Sequence, residues 1–263
     1  MRESKFGKET AFLWEGWASR EQLLLEEVAS SFDMSRQDEE RVAKAFEEAK
    51  AKNPHFFDGT LWRYECTRDV RGGNIVDVSP INYSRHNVLR YEQGKPIEFY
   101  PNPVSINAVQ ETVDGYLLIG VKGKVADQKG LGVMGAGFIK RKLDAEGESL
   151  PPESVFTACE RECLEETAYS VENPFDAEEL VAMGAIFGSN HDTTFSIYVP
   201  LNASSKEVDL GNQEHSDLIL LPTDIQSLET FLGEGAMRGM PAADHLLGCV
   251  ELYMENKYHY DRI

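Results

Sequence analysis

The chain has 263 residues, of which 45 are acidic and 26 basic, giving a formal net charge of -19 at pH 7. Hydrophobic residues make up 41% and aromatics 10%, enough for a sizeable core and too many for a disordered chain. A field of that sign repels nucleic acid and anionic membrane surfaces, so any phosphate ligand needs local positive charge of its own.

In chain order, the opening "MRESKFGKET" is polar, and the "AFLW" that follows is too short for a signal-peptide core or a membrane span. No later apolar run approaches spanning length, and the four cysteines form no CxxC pair, so a reduced cytoplasmic protein is expected. Residues 20–52 read as two helices, "REQLLLEEVASSF" and "SRQDEERVAKAFEEAKAKN", the second capped by Ser35. "DGTLWRYECTRDV" and "RGGNIVDVSPINY" read as strands, and "SRHNVLRYEQGKP" as a short helix and turn. A boundary falls near Tyr100–Pro103, dividing an N-terminal extension of helices and strands (1–100) from a main domain (101–263).

Beyond it, "SINAVQET" and "YLLIGVKG" flank a Val113-Asp114-Gly115 turn as a hairpin, and "LGVMGAGFIK" is a glycine-rich strand. A helix runs from Pro151-Pro152 to about Thr167. "LVAMGAIFGS", "TTFSIYVPLN" and "SDLILLP" are further strands, and "PAADHLLGCVELYMEN" is a closing helix. Strands on both sides of an acidic helix define a mixed α/β (α+β) layered domain.

On that helix Glu162, Glu165 and Glu166 stand at i, i+3 and i+4, so three carboxylates share one face. Phe156, Cys159 and Cys163 make an adjoining apolar stripe suited to packing on a sheet. Three carboxylates aimed at one volume suit a hard divalent cation, Mg²⁺ or Mn²⁺. Arg161, four residues before Glu165, can hold carboxylates in place through its fork of donors. The plain alternative is a solvated acidic face in an acidic protein.

Glu153, seven residues, then "RECLEETAY" resembles the Nudix box, Gly-x5-Glu-x7-Arg-Glu-U-x-Glu-Glu-x-Gly-U, where U is bulky and aliphatic. Glu153, Arg161, Glu162, Glu165 and Glu166 match it in type and spacing, with Cys163 at the first U. Ala168 and Tyr169 replace the final glycine and aliphatic residue, which leaves the helix-ending turn open. Gly147 matches the leading glycine by count, but Gly137 in "MGAGFI" sits better at a strand end, with "KRKLDAEGESLPP" then an inserted loop. The resemblance spans roughly Ser105 to Pro222 and implies a Nudix-type α/β/α sandwich with a mixed sheet. It implies metal-dependent hydrolysis of a nucleoside diphosphate linked to another moiety. "NPHFFDGTLWR", "YSRHNVL" and "NQEHSDLILL" resemble the UDP-sugar pyrophosphatase type, which yields UMP and a sugar phosphate.

The resemblance makes Glu162 and Glu166 the first metal ligands and Glu165 a further ligand or the base, with Glu153 in support and Arg161 orienting the cluster. It also suggests a late-loop acid, for which Glu214 is the candidate. Gly137, Arg85 and Lys140 are substrate-contact candidates; Lys140, Arg141 and Lys142 form a basic run beside the box. His86, His215, Tyr83, Trp62 and the pair His191-Asp192 are weaker candidates, each equally readable as core or turn. The expected partner is a small nucleoside diphosphate derivative, with no nucleic acid and no membrane; the oligomeric state is open, a homodimer among the options. Competing functions are hydrolysis of ADP-ribose, a dinucleotide or a noncanonical nucleotide, a non-catalytic nucleotide-sensing module, or a plain scaffold.

Overall fold

The computed structural model describes residues 1–7, 10–30, 32–52, 58–92, 95–123, 130–141, 150–211 and 214–260. Gly147, Lys142 and parts of "NPHFFDGTLWR" and "NQEHSDLILL" lie outside them.

The chain opens with β1 (Arg2–Glu3), β2 (Ala11–Ala18) and β3 (Leu23–Glu27), followed by α1 (Arg36–Lys52). Ser35 starts α1 as expected, its hydroxyl accepting from the Asp38 N–H at 3.1 Å. β4 (Thr60–Val70) and β5 (Gly73–Asn82) form a hairpin, and α2 (Tyr83–Leu89) follows. The segment read as a first helix is a strand instead: β3 pairs in parallel with β5. Its short leucine run fits either period, and pairing decides, with Leu23 buried, Leu24 exposed and Leu25 half-buried.

The second half supplies β6 (Val104–Glu111), β7 (Tyr116–Lys122), β8 (Leu131–Val133), β9 (Ala136–Phe138), α3 (Val155–Glu166) and β10 (Thr167–Tyr169). Then come β11 (Val181–Phe187), β12 (Thr193–Pro200), β13 (Val208–Leu210), β14 (His215–Pro222) and α4 (Ile225–Glu234). β15 (Ala236–Met237), β16 (Met240–Pro241) and α5 (Asp244–Tyr260) complete the chain.

Among the described residues, nine strands make the main sheet, in the order β1-β2-β11-β12-β6-β7-β14, with β9 on β6 and β8 on β7. Only β6 and β12 run parallel in it, so the sheet is mixed as expected. β3, β4 and β5 form a separate sheet, and β2 pairs with β11 in the main one. Bridges Leu61↔Lys140 and Arg63↔Pro103 tie the small sheet to the flanks of β9 and β6.

Alternation along β6 explains the layers. Ile106 and Ala108 enter one core with Phe156, Cys159 and Cys163 of α3. Val109 enters a second core with Leu246, Val250 and Tyr253 of α5. Helices therefore cover both faces, an α/β/α sandwich.

Two features bear on the site. β6 and β7 pair only at Glu111↔Leu117, then diverge, and the stretch from β8 to β9 crosses the fork between them. The glycine-rich stretch is thus two short strands joined at Met134-Gly135, with Gly135 at φ +76°. Secondly, α3 begins at Val155, three residues after the prolines, because Ser154 caps it by accepting from the Thr157 N–H at 3.1 Å. Its C-terminal end has no left-handed residue. Thr167 is already extended and enters β10, while the Gly211 N–H caps the Glu166 carbonyl at 2.8 Å.

Candidate active site

The box carboxylates lie where α3 meets the fork. Arg161 gathers them: its guanidinium bonds Glu162, reaches Glu153 at 3.1 Å and stands 4.0 Å from Glu165. It also approaches the Phe138 carbonyl at 3.5 Å. Glu162 is buried against β9; a β-carbon at Gly137 would collide with its carboxylate, so only glycine admits it there. Burial raises the Glu162 carboxyl, and Arg161 and Lys140 oppose that rise.

Glu166 is buried deepest, its side chain 2% exposed. It accepts from the backbone N–H of Gly135 at 2.8 Å and of Ala136 at 3.2 Å, which fastens the end of α3 to the fork. Burial still pushes its carboxyl up to about 8, despite those two bonds, with Glu214 and Glu162 adding repulsion. Glu214 is exposed and directly precedes His215, and its charge adds to the rise at Glu166. Glu165 faces outward, its side chain 56% exposed.

His215 lies 3.7 Å from Glu166, and burial lowers its ring below the ordinary histidine value. Lys140 is exposed, and the Arg141 guanidinium lies over the Trp62 ring at 5.8 Å. Arg85 is not brought to the box; it lines a groove with α1 residues Glu39, Val42 and Phe46. Trp62 is core, and Tyr83 and His86 set their rings against Phe138. His191 stacks on Tyr100 with centroids 3.6 Å apart.

Next to the carboxylates a cavity of about 200 Å³ opens, walled by Ala136 and Gly137 on one side. Asp192, His245, Ser105, Asn107 and Lys122 also line it. Asp192 is buried; burial alone would raise its carboxyl, but His245, His86 and the Ser105 hydroxyl hold it below the ordinary range. His245 and Lys122 carry no signal in the sequence, because one opens a helix run and the other ends a strand run, with no motif around either.

A Mg²⁺ or Mn²⁺ ion fits this site in donor type. Glu162 and Glu166 offer hard oxygens at a glycine cradle, and the raised Glu166 carboxyl is one a cation would restore to its charged form. The side chains do not converge: among the described residues no three histidine, cysteine or acidic side chains are grouped to hold a metal ion. Arg161 engages Glu162, and Glu165 turns outward.

No protein-family model matches the chain, and no curated protein matches it. Solved structures do resemble it. The Nudix domain of Shewanella oneidensis NrtR, complexed with ADP-ribose, is 18% identical, with 63% of this chain and 94% of that one covered and a TM-score of 0.41. A Nudix hydrolase from Nitrosomonas europaea is 20% identical, with 59% and 90% covered and a TM-score of 0.38. DR0079 from Deinococcus radiodurans is 16% identical, with 73% and 97% covered and a TM-score of 0.41. Likeness at this level leaves the functional reading to the chain's own residues. Among the described residues no helix is long and apolar enough to cross a membrane.

Proposed function

We propose that the chain is a Nudix-type pyrophosphohydrolase acting on a nucleoside diphosphate linked to another moiety, with a UDP-sugar as first candidate. The observation that supports it is Arg161 joining Glu153, Glu162 and Glu165 at the sheet fork that Glu166 grips, beside a cavity.

In the reaction, water attacks one phosphorus of the diphosphate. The bond from that phosphorus to the bridging oxygen breaks, and the second phosphate leaves with the electron pair. The products are a nucleoside monophosphate and the phosphate of the other moiety. A divalent ion held by Glu162 and Glu166, with Glu165 as a further ligand, would offset the diphosphate charge and lower the pKa of water. Arg161 keeps Glu153 and Glu162 in position. Where it is not a ligand, Glu165, the most exposed of the box carboxylates, would take the proton of the attacking water on its carboxylate oxygen. Glu166 holds the β8–β9 turn that forms the cavity wall.

Two segments resembling the UDP-sugar type support this candidate: α2 packs Tyr83 and His86 on Phe138, and His215 stands 3.7 Å from Glu166. The second reading is a sensing module that binds without turnover; it is favoured by the outward turn of Glu165, which leaves no three acidic side chains grouped among the described residues. The deciding measurement is kcat/KM for UDP-glucose, ADP-ribose, a dinucleoside polyphosphate and NADH with Mg²⁺ or Mn²⁺. UDP-glucose is expected to lead. Preference for another removes the subgroup and leaves hydrolysis standing; metal binding with no cleavage of any favours the sensor.

A further inference from the structure

The cavity beside Gly137 is more elaborately polar than a diphosphate requires. Building on the hydrolytic reading above, we propose that it is the subsite for the sugar ring beyond the diphosphate, with His245 contacting the ring and Asp192 as its positioning residue.

Continuity comes first. Ala136 and Gly137 wall the cavity, and the same residues meet Glu166 and Glu162. A ligand with its diphosphate at the carboxylates therefore reaches the cavity with its next group. Size comes second. About 200 Å³ lies below the roughly 300–1,000 Å³ of pockets that take drug-sized ligands, and a single ring suits it.

Chemistry decides the class. The lining alternates hydrogen-bonding groups, Ser105, Asn107 and Thr194, with the apolar Ile106, Val133 and Phe138. A sugar has the matching character, hydroxyls around its edge and C–H groups on its faces. Asp192 is the unusual member. An ionised carboxylate is costly to bury, and it accepts hydrogen bonds only. Here its Oδ2 takes the Ser105 hydroxyl at 2.7 Å and the Thr194 hydroxyl at 3.3 Å. Its Oδ1 stands 3.1 Å from His245 Nε2, an ion-pair distance off the line of a good hydrogen bond. With Nε2 turned to Asp192, Nδ1 is the ring nitrogen left to meet a hydroxyl of the ligand. The ring's place depends on Gly188, where a β-carbon would meet Nε2 and Cε1 at 2.6 Å. Lys122 on the wall adds a positive charge to the lining. The α3 helix takes no part in this network, so packing of the catalytic helix does not account for it.

The test compares His245→Gln and Asp192→Asn with the parent, on UDP-glucose against UTP and on ADP-ribose against ATP. Each pair differs in having a ring or a bare phosphate beyond the diphosphate. Both variants are expected to lower kcat/KM for the sugar-bearing member at least tenfold more than for the triphosphate, through KM rather than kcat. Glucose 1-phosphate or ribose 5-phosphate, titrated calorimetrically, should bind the parent and be lost from His245→Gln. Equal losses on both members of a pair overturn the proposal, as does unchanged sugar-phosphate binding by His245→Gln. If Asp192→Asn does not fold, His245→Gln alone carries the comparison. Sugar-phosphate binding that depends on His245, without hydrolysis of any nucleotide, retains the subsite and rejects the hydrolase reading. Hydrolysis without a His245-dependent difference does the reverse, and neither binding nor hydrolysis rejects both.

Discussion

At Glu166 burial outweighs two backbone hydrogen bonds, which leaves the carboxyl at about 8. Because the proton is held more tightly in the folded state than in the unfolded chain, this group makes metal-free stability fall as pH rises from about 4.5 to about 8. Glu166→Gln should flatten that fall, which chemical denaturation at several pH values would show. Its amide oxygen keeps one backbone bond, while its nitrogen meets the other N–H at a cost of roughly 1–3 kcal/mol, set against removal of a buried charge. The fold should survive and turnover should drop by roughly a hundredfold or more, through loss of a ligand charge. Near-parental turnover at limiting Mg²⁺ would reject the ligand role. Gly137→Ala acts on geometry alone: the added methyl displaces the Glu162 carboxylate, whose flexible end can yield. Turnover is expected to fall by about a hundredfold with little change in melting temperature. A rate within threefold of the parent would show that the placement of Glu162 is not needed.

Helix α3 is held at both ends by groups from outside its periodic run. Ser154 caps the start, and Gly211 caps the Glu166 carbonyl from just past the neighbouring strand β13. Ser154→Ala should cost about 1 kcal/mol, or roughly 2–4 °C in melting temperature for a chain of this size. Calorimetry checks it, and no loss would mean that the Thr157 N–H finds water instead. Gly211 solves the problem that Ala168 poses in the sequence. A helix without a left-handed end residue can stop directly in a strand if another chain segment supplies the donor. Close approach requires glycine, because a β-carbon at Gly211 would stand 2.8 Å from the Thr167 nitrogen.

Across the whole molecule, the net charge of -19 makes an uncompensated acidic site costly, and a bound divalent ion relieves it. Binding to the native state alone adds about 2.7 kcal/mol at a hundredfold excess over Kd, which is roughly 5–10 °C. Millimolar Mg²⁺ or Mn²⁺ should raise the melting temperature by that order, and more at pH 8 than at pH 6, where Glu166 is protonated. A melting curve unmoved by either ion, with and without a nucleotide diphosphate, would reject the metal site. The layers bring the parts together: α3 on one face and α5 on the other meet at the β6–β7 fork, so carboxylates from one helix adjoin a cavity closed by the other.

The sequence by itself determined the elements with a local period or a local cap. The shared face of Glu162, Glu165 and Glu166 follows from 3.6 residues per turn, and Ser35 and Asp114-Gly115 mark a cap and a turn where each is found, whereas Gly137 lies in the middle of β9. Helix α4, which is not among the expected elements, carries local signals of the same kind in its Asp224 cap and the left-handed Gly235. Tertiary structure alone decided the rest. "LLL" is compatible with helix and strand until β5 offers an edge, and β2 looks like part of an extension until β11 pairs with it. Arg85 shares a segment with His86, yet packing sends one to a groove against α1 and the other towards Phe138. Asp192 and His245 meet from distant parts of the chain. Hydrogen-bond pairing between strands and burial of side chains between layers are long-range, and no local period encodes which distant partner arrives.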